Sequence, residues 1–221
     1  MILPLPVRSV TIDLDGTLLD TVPDLHAAAN ATLAELGLSA CSEDHIRRSV
    51  GRGIPHLIGC FLPSGNAALL ERATEIFRHH YAAINGRSAK PYPGVIAGLE
   101  QFRRRGFRMA VITNKSAAFT EPLLVSSGLA KYFEFAISGD TLAEKKPHPQ
   151  PLLHACERMD SAPAWNLHIG DSRHDAACAR AAGSPVFLVP YGYSEGEDVR
   201  NLDCDAIVAS LDQAGDLIAA A

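Results

Sequence analysis

The sequence has no C-x-x-C pair, no excess of basic charge, and no apolar run approaching the roughly 20 residues that a membrane helix needs. Each absence removes a class of function. The five cysteines, Cys41, Cys60, Cys156, Cys178 and Cys204, are widely separated, and their odd number leaves one unpaired in any full disulfide set. Buried free thiols in a reducing compartment are therefore expected. Lys and Arg number 20 against 25 Asp and Glu, a formal net charge of -5. Without a basic stripe, binding nucleic acid by broad phosphate neutralisation is excluded. The one basic run, Arg103 to Arg105, ends a helical pattern, where cations suit the negative end of the helix dipole. No charged stretch followed by an apolar one opens the chain. A soluble, cytoplasmic protein that binds neither nucleic acid nor membrane is expected, as a monomer or a homodimer.

What is present is a chain of 221 residues with 47% hydrophobic content, enough for one large domain or a main domain carrying a smaller insertion. Short β-branched runs recur at 9–14 (SVTIDL), 108–113 (RMAVIT), 133–138 (FEFAIS), 166–170 (NLHIG), 185–189 (PVFLV) and 205–209 (DAIVA). Between most of them lie helical stretches: the one after Gly94, one ending at Gly128, the run PLLHACERM, and one ending at Gly183. Strands alternating with helices of this length predict right-handed βαβ units, and so an α/β fold, a parallel sheet with helices on both faces. Such a sheet places its ligand site beyond the carboxyl ends of its strands.

One section breaks the alternation. From about Thr21 to Asn85 the pattern is helical, with Leu25, Ala29, Leu33 and Leu36 on one face, Gly37 closing that helix, and a further helix from Ala67 to Tyr81. Thr21, with Asp24 three residues on and Pro23 between them, reads as a capping start. Residues 17–88 are expected to form an all-helical inserted cap domain, with hinges near 17–21 and 87–92, and residues 1–16 with 89–221 the core domain. The rival arrangement packs these helices on the sheet within a single domain.

The chemistry gathers where the strands give out. Asp13 and Asp15 lie two apart, so in extended chain their carboxylates point the same way, and Gly16 allows a sharp turn after them. Thr113 and Asn114 end another strand, and Lys145 and Lys146 precede a proline-stiffened loop. Asp171 follows a third strand, with Asp175 four residues later on one face of a helical turn. Like charges so placed repel unless something cationic joins them. Four acids, lysine and a Thr/Asn pair at one sheet edge make sense around Mg²⁺, which takes few carboxylates and completes its shell with substrate phosphate.

These segments resemble the four motifs of the haloacid dehalogenase superfamily of phosphatases: DLDGT at 13–17, Thr113, Lys146, and GDSRHD at 170–175. The segments DTVPDL, VGRG and KKPHPQPLL are further similar to the phosphoglycolate phosphatase branch. The resemblance implies a Rossmann-like parallel sheet core, a mobile helical cap over the site and hydrolysis of a small phosphorylated metabolite through an aspartyl-phosphate, with 2-phosphoglycolate the best single substrate. It implies Asp13 as nucleophile and Asp15 as acid and base. Mg²⁺ would be held by Asp13, the Asp15 carbonyl and Asp171, with Asp175 in support, and the phosphoryl oxygens by Thr113, Lys146 and the Asn114 backbone amide. Arg52, in the VGRG segment, is a candidate to meet a substrate carboxylate. Asp20 reads as a hinge or cap acid, Lys145 as a solvated neighbour of Lys146, His174 as a surface side chain, and His148, His154 and His168 as loop, helix-face and strand residues. Alternatives are a sugar-phosphate phosphatase, a β-phosphoglucomutase-like phosphotransferase, and a phospho-receiver signalling domain, though receivers are shorter and carry no such helical insertion.

Overall fold

Strands β1 (Leu5–Val7), β2 (Ser9–Ile12) and β3 (Leu19–Asp20) open the chain in this computed structural model, which describes residues 4–221. Four helices follow, α1 (Val22–Glu35), α2 (Glu43–Arg47), α3 (Ile54–Gly59) and α4 (Ala67–Ile84), before β4 (Lys90–Pro91). The chain then alternates: α5 (Val95–Arg104), β5 (Arg108–Ile112), α6 (Ala117–Ser126), β6 (Phe135–Ile137), α7 (Gln150–Arg158), β7 (Asn166–Gly170), α8 (Arg173–Ala182), β8 (Val186–Leu188), β9 (Ala206–Ile207), α9 (Leu211–Asp216) and β10 (Ile218–Ala220).

The main sheet runs β6-β5-β2-β7-β8-β9, every pair parallel. Its six strands are the six apolar runs of the sequence. Side chains alternate between its faces: Val10, Ile12, Met109 and Val111 pack with Leu99 and Phe102 of α5 and Leu211 of α9, while Ala110 and Ile112 pack with Leu152 of α7 and Ala179 of α8. The site strand, β2, lies in the middle with its neighbours' connections leaving in opposite directions, and a crevice opens beyond its carboxyl end.

Helices α1 to α4 build their own core from Leu25, Ala28, Ile46, Leu57, Phe77 and Tyr81, joined by Phe119 and Tyr193 from the sheet side. The stretch is not helical throughout, because Leu19 and Asp20 pair antiparallel with Pro91 and Lys90, so the two connections to the helical layer run side by side as a short ribbon. The capping start expected at Thr21 is also different. The Thr21 hydroxyl donates to Asp15 Oδ1 at 2.7 Å instead of capping α1, and buried Asp24 accepts from the backbone N–H groups of Gly86, Ser88 and Ala89. Asp24 thereby ties the start of the helical layer to its exit. All five cysteines are free, but only Cys156 and Cys178 are buried and Cys60 is exposed. Among the described residues no helix is long and apolar enough to cross a membrane.

Candidate active site

Asp13 follows β2, Thr113 and Asn114 follow β5, and Asp171 follows β7, so the parallel register alone brings three of the four expected segments to one edge. The fourth comes from the loop before α7, which delivers Lys146. Its buried ammonium sits 2.7 Å from Asp13 Oδ1 and 2.7 Å from Asp175 Oδ1. Asp13, Asp15, Thr113, Asn114, Lys146 and Asp171 all line one cavity, partly open to solvent.

Asp175 is the anchor of this cluster. Its Oδ1 accepts from Lys146 and from His168 Nε2 at 3.0 Å, and its Oδ2 from the Ser172 hydroxyl and the backbone N–H groups of Asp171 and Ser172, forming a capping box at the start of α8. Burial opposes its charge, but Lys146 and His168 hold the Asp175 carboxyl far below the usual carboxylate range. Asp171 is positioned by the Thr17 hydroxyl on Oδ1 at 2.9 Å and by the Tyr193 backbone N–H on Oδ2 at 2.6 Å. Gly16, at φ +88°, gives it room, since a Cβ there would collide with its carboxylate.

The balance of charge says what is missing from this set. Burial and Asp175 push the Asp171 carboxyl up to about 7. Burial, together with Asp175 and Asp171 and against the pull of Lys146, pushes the Asp13 carboxyl well above its ordinary value. Carboxylate oxygens of Asp13, Asp171 and Asp175 lie within 4.8 Å of one another. One ammonium is too little positive charge for three buried carboxylates. The donors are all hard oxygens, the set that a divalent cation such as Mg²⁺ prefers. The residues present fit that ion, with Asp13 and Asp171 offering the freer oxygens, since each oxygen of Asp171 accepts one hydrogen bond whereas Asp175 accepts two on Oδ1 and three on Oδ2.

Other residues fall differently from expectation. Arg52 is exposed and does not line the cavity; Gly51 and Gly53 beside it do. The carbonyls of this loop are gripped instead, Gly51 O by the Asn114 side-chain amide at 2.8 Å and Arg52 O by Lys145 Nζ at 2.9 Å, so Lys145 is more than a solvated neighbour. His174 is buried, lines the cavity and lies 3.2 Å from Glu195 Oε1, which corrects the surface assignment. Asp20 lies in the two-stranded ribbon and accepts from the Tyr193 hydroxyl at 2.9 Å. Two residues, Lys115 and Tyr193, escaped the reading of the sequence, and His168, on strand β7 as expected, has a contact that the reading did not give it. Lys115 is buried and pairs with Asp15 at 3.0 Å; Tyr193 holds both Asp171 and the start of α1; His168 donates to Asp175. Lys115 had a signal in the run TNK, a cation directly after two polar strand-end residues.

A family model described as haloacid dehalogenase-like hydrolase matches residues 10–189. The chain belongs to the haloacid dehalogenase-like hydrolases. Among curated relatives, it is 50% identical over 220 residues to a phosphoglycolate phosphatase of Nitrosospira multiformis, covering 97% of each chain. It is also 48% identical to a phosphoglycolate phosphatase of Thiobacillus denitrificans, over 96% of this chain and 95% of the relative. A crystal structure described as a predicted phosphoglycolate phosphatase from Haemophilus somnus superposes with a TM-score of 0.89 at 27% identity, over 93% of this chain and 95% of that one. The parallel sheet and its flanking helices are thus those of a haloacid dehalogenase-like hydrolase.

Proposed function

We propose that the protein is a Mg²⁺-dependent phosphoglycolate phosphatase, hydrolysing 2-phosphoglycolate to glycolate and phosphate. The observation that carries this reading is that the residues of all four motifs line one cavity, in a chain half identical to a phosphoglycolate phosphatase along nearly its whole length. The curated relatives lend the substrate and the geometry lends the chemistry.

The free oxygen of Asp13 attacks phosphorus in line with the ester oxygen; the P–O bond to glycolate breaks and an aspartyl-phosphate forms, splitting one hard displacement into two easier ones. Asp15 gives its proton to the departing glycolate oxygen. In the second half it accepts the proton of the water that attacks phosphorus, and the bond to Asp13 breaks to release phosphate. In the structure Asp15 accepts from Lys115 Nζ at 3.0 Å and from the Thr21 hydroxyl at 2.7 Å. Lys146, the Thr113 hydroxyl and the Asn114 backbone amide hold the phosphoryl oxygens as charge shifts among them. Asp13, the Asp15 carbonyl and Asp171, with Asp175 in support, would hold Mg²⁺, which would supply the positive charge that lets an anionic nucleophile approach an anionic phosphate.

Residues 17–88 act as the cap in this reading, swinging on the β3–β4 ribbon over a core of residues 1–16 and 89–221 and shutting out bulk water. The test is phosphate release from a panel of small esters with Mg²⁺, comparing wild type with Asp13→Asn. Wild type is expected to release phosphate from 2-phosphoglycolate and to stop when EDTA removes the metal, and Asp13→Asn to be inactive with an unchanged circular dichroism spectrum. Phosphate release from sugar phosphates but not from 2-phosphoglycolate contradicts the substrate. Isomerised sugar phosphate without free phosphate points to the phosphomutase alternative, and no reaction with any ester removes the class.

A further inference from the structure

The substrate named above has two anionic ends, and the cluster of Asp13, Lys146 and Asp175 accounts for only one. Lys115 begins at the same strand end but takes a separate path. Its ammonium is buried, 3.0 Å and 3.3 Å from the two oxygens of Asp15, and lies over the ring of Tyr81 from α4, 4.9 Å from its centroid. An ammonium has three donors, and Asp15 takes two. Tyr81 lines the same cavity and is 1% exposed, yet its hydroxyl has no hydrogen-bond partner. A buried hydroxyl left unpaired is costly, and it is common where a ligand completes the set. Burial pushes this phenol up to about 12, so it keeps its proton and serves as a donor.

We infer that Lys115 and Tyr81 together form the subsite that receives the substrate's carboxylate, the third ammonium donor and the phenol each meeting one oxygen. This deepens the phosphoglycolate reading and rests on it. An apolar part of the wall supports a short substrate: Leu25, Val50, Ile54 and Leu57 line the same cavity. The hydroxyls of a sugar phosphate placed there would lose water and gain no partner. A carboxylate one carbon from the ester oxygen spans from the phosphoryl site towards Lys115 without needing that wall. The two buried lysines thus divide the substrate, Lys146 at the phosphoryl group and Lys115 at the carboxylate, which leaves exposed Arg52 without that task.

The test compares 2-phosphoglycolate with ethyl phosphate, the same ester with a methyl group in place of the carboxylate, in wild type, Lys115→Met and Tyr81→Phe, with Mg²⁺ present. Since Lys115 also touches Asp15, the informative quantity is the ratio of kcat/KM for the two esters. In Lys115→Met the ratio is expected to fall about a hundredfold, the loss of a buried charged contact. In Tyr81→Phe it should fall several-fold, mainly through KM, and this variant keeps the ring packed on Phe77 and Phe119, so it reports even if Lys115→Met fails to fold. Equal losses on both esters would show that Lys115 serves only Asp15 and would overturn the subsite, as would unchanged ratios in both variants. Wild type that cleaves ethyl phosphate but not 2-phosphoglycolate would remove the substrate reading itself, an outcome visible before any variant is made.

Discussion

His168 and Thr11 face each other across β7 and β2, and between them begins a chain of hydrogen bonds that ends in the active site. The Ser9 hydroxyl donates to Asn166 Oδ1 at 2.9 Å, the Asn166 amide to Thr11 Oγ1 at 3.0 Å, and the Thr11 hydroxyl to His168 Nδ1 at 3.0 Å. His168 Nε2 then donates to Asp175 Oδ1, at 3.0 Å. Each step fixes the direction of the next, because an ionised Asp175 only accepts, so the imidazole must carry its proton on Nε2. Burial holds His168 below its ordinary value and keeps it neutral. His168→Leu leaves the Thr11 hydroxyl without an acceptor and Asp175 without one donor, and should lower stability by about 2–3 kcal/mol. Adding Thr11→Val removes the stranded hydroxyl, so urea unfolding of the four proteins in the cycle should show a coupling of about 1 kcal/mol or more. Strictly additive effects would mean that the chain does not act as a unit. This seam was half legible in the sequence: polar residues at Ser9, Thr11 and Asp13, and again at Asn166 and His168, alternate with apolar ones in strands otherwise made for burial. The pairing of one set with the other depends on register, which no single segment encodes.

At the scale of elements, α1 shows how a local signal can be right about a boundary and wrong about its cause. Thr21 is the N-cap, as expected, but the first N–H groups of the helix are satisfied from 172 residues away. The Tyr193 hydroxyl accepts from Thr21 N at 2.7 Å and Val22 N at 3.2 Å and donates to Asp20, while its backbone N–H holds Asp171. Thr21 is thereby free to serve Asp15. Tyr193→Phe keeps the buried ring but strips this cap, and should cost about 1–2 kcal/mol, with hydrogen exchange at the first amides of α1 speeding up while the sheet amides stay protected. Unchanged exchange there would show the tyrosine to be packing alone. Strand prediction succeeded for the main sheet because its central strands β2, β7 and β8 are buried on both faces and each sheet strand falls in a short run carrying β-branched or other apolar residues. It missed β1 with β10, and β3 with β4, for physical reasons. Those strands are two or three residues long, Pro6 argues against the first, and β1 pairs with a partner at the far end of the chain.

For the whole molecule, the relation between helical layer and sheet decides how the site works. The layer meets the sheet side in three ways. Its apolar core takes in Phe119 and Tyr193, with Tyr81 packed against the Phe119 ring. Beside the ribbon, Asp24 accepts from the backbone N–H groups of Gly86, Ser88 and Ala89, just before β4, and so ties the two connections together. Across the cavity mouth the contacts are sparse and polar, chiefly Asn114 to Gly51 O and Lys145 to Arg52 O. Bonds of that kind, part of them exposed, contribute about 1 kcal/mol each and exchange readily with water. In the reading proposed above this layer is the lid, closed over whatever bridges the cavity. Orthovanadate with Mg²⁺, as a phosphate mimic, should therefore slow hydrogen exchange at amides 50–54 and in α3 at least several-fold, while β2, β5 and β7, already protected by the core, change little. Protection spread evenly over sheet and helices would indicate general stabilisation by ligand binding, and no protection at 50–54 would mean that this rim stays open when the phosphoryl site is filled.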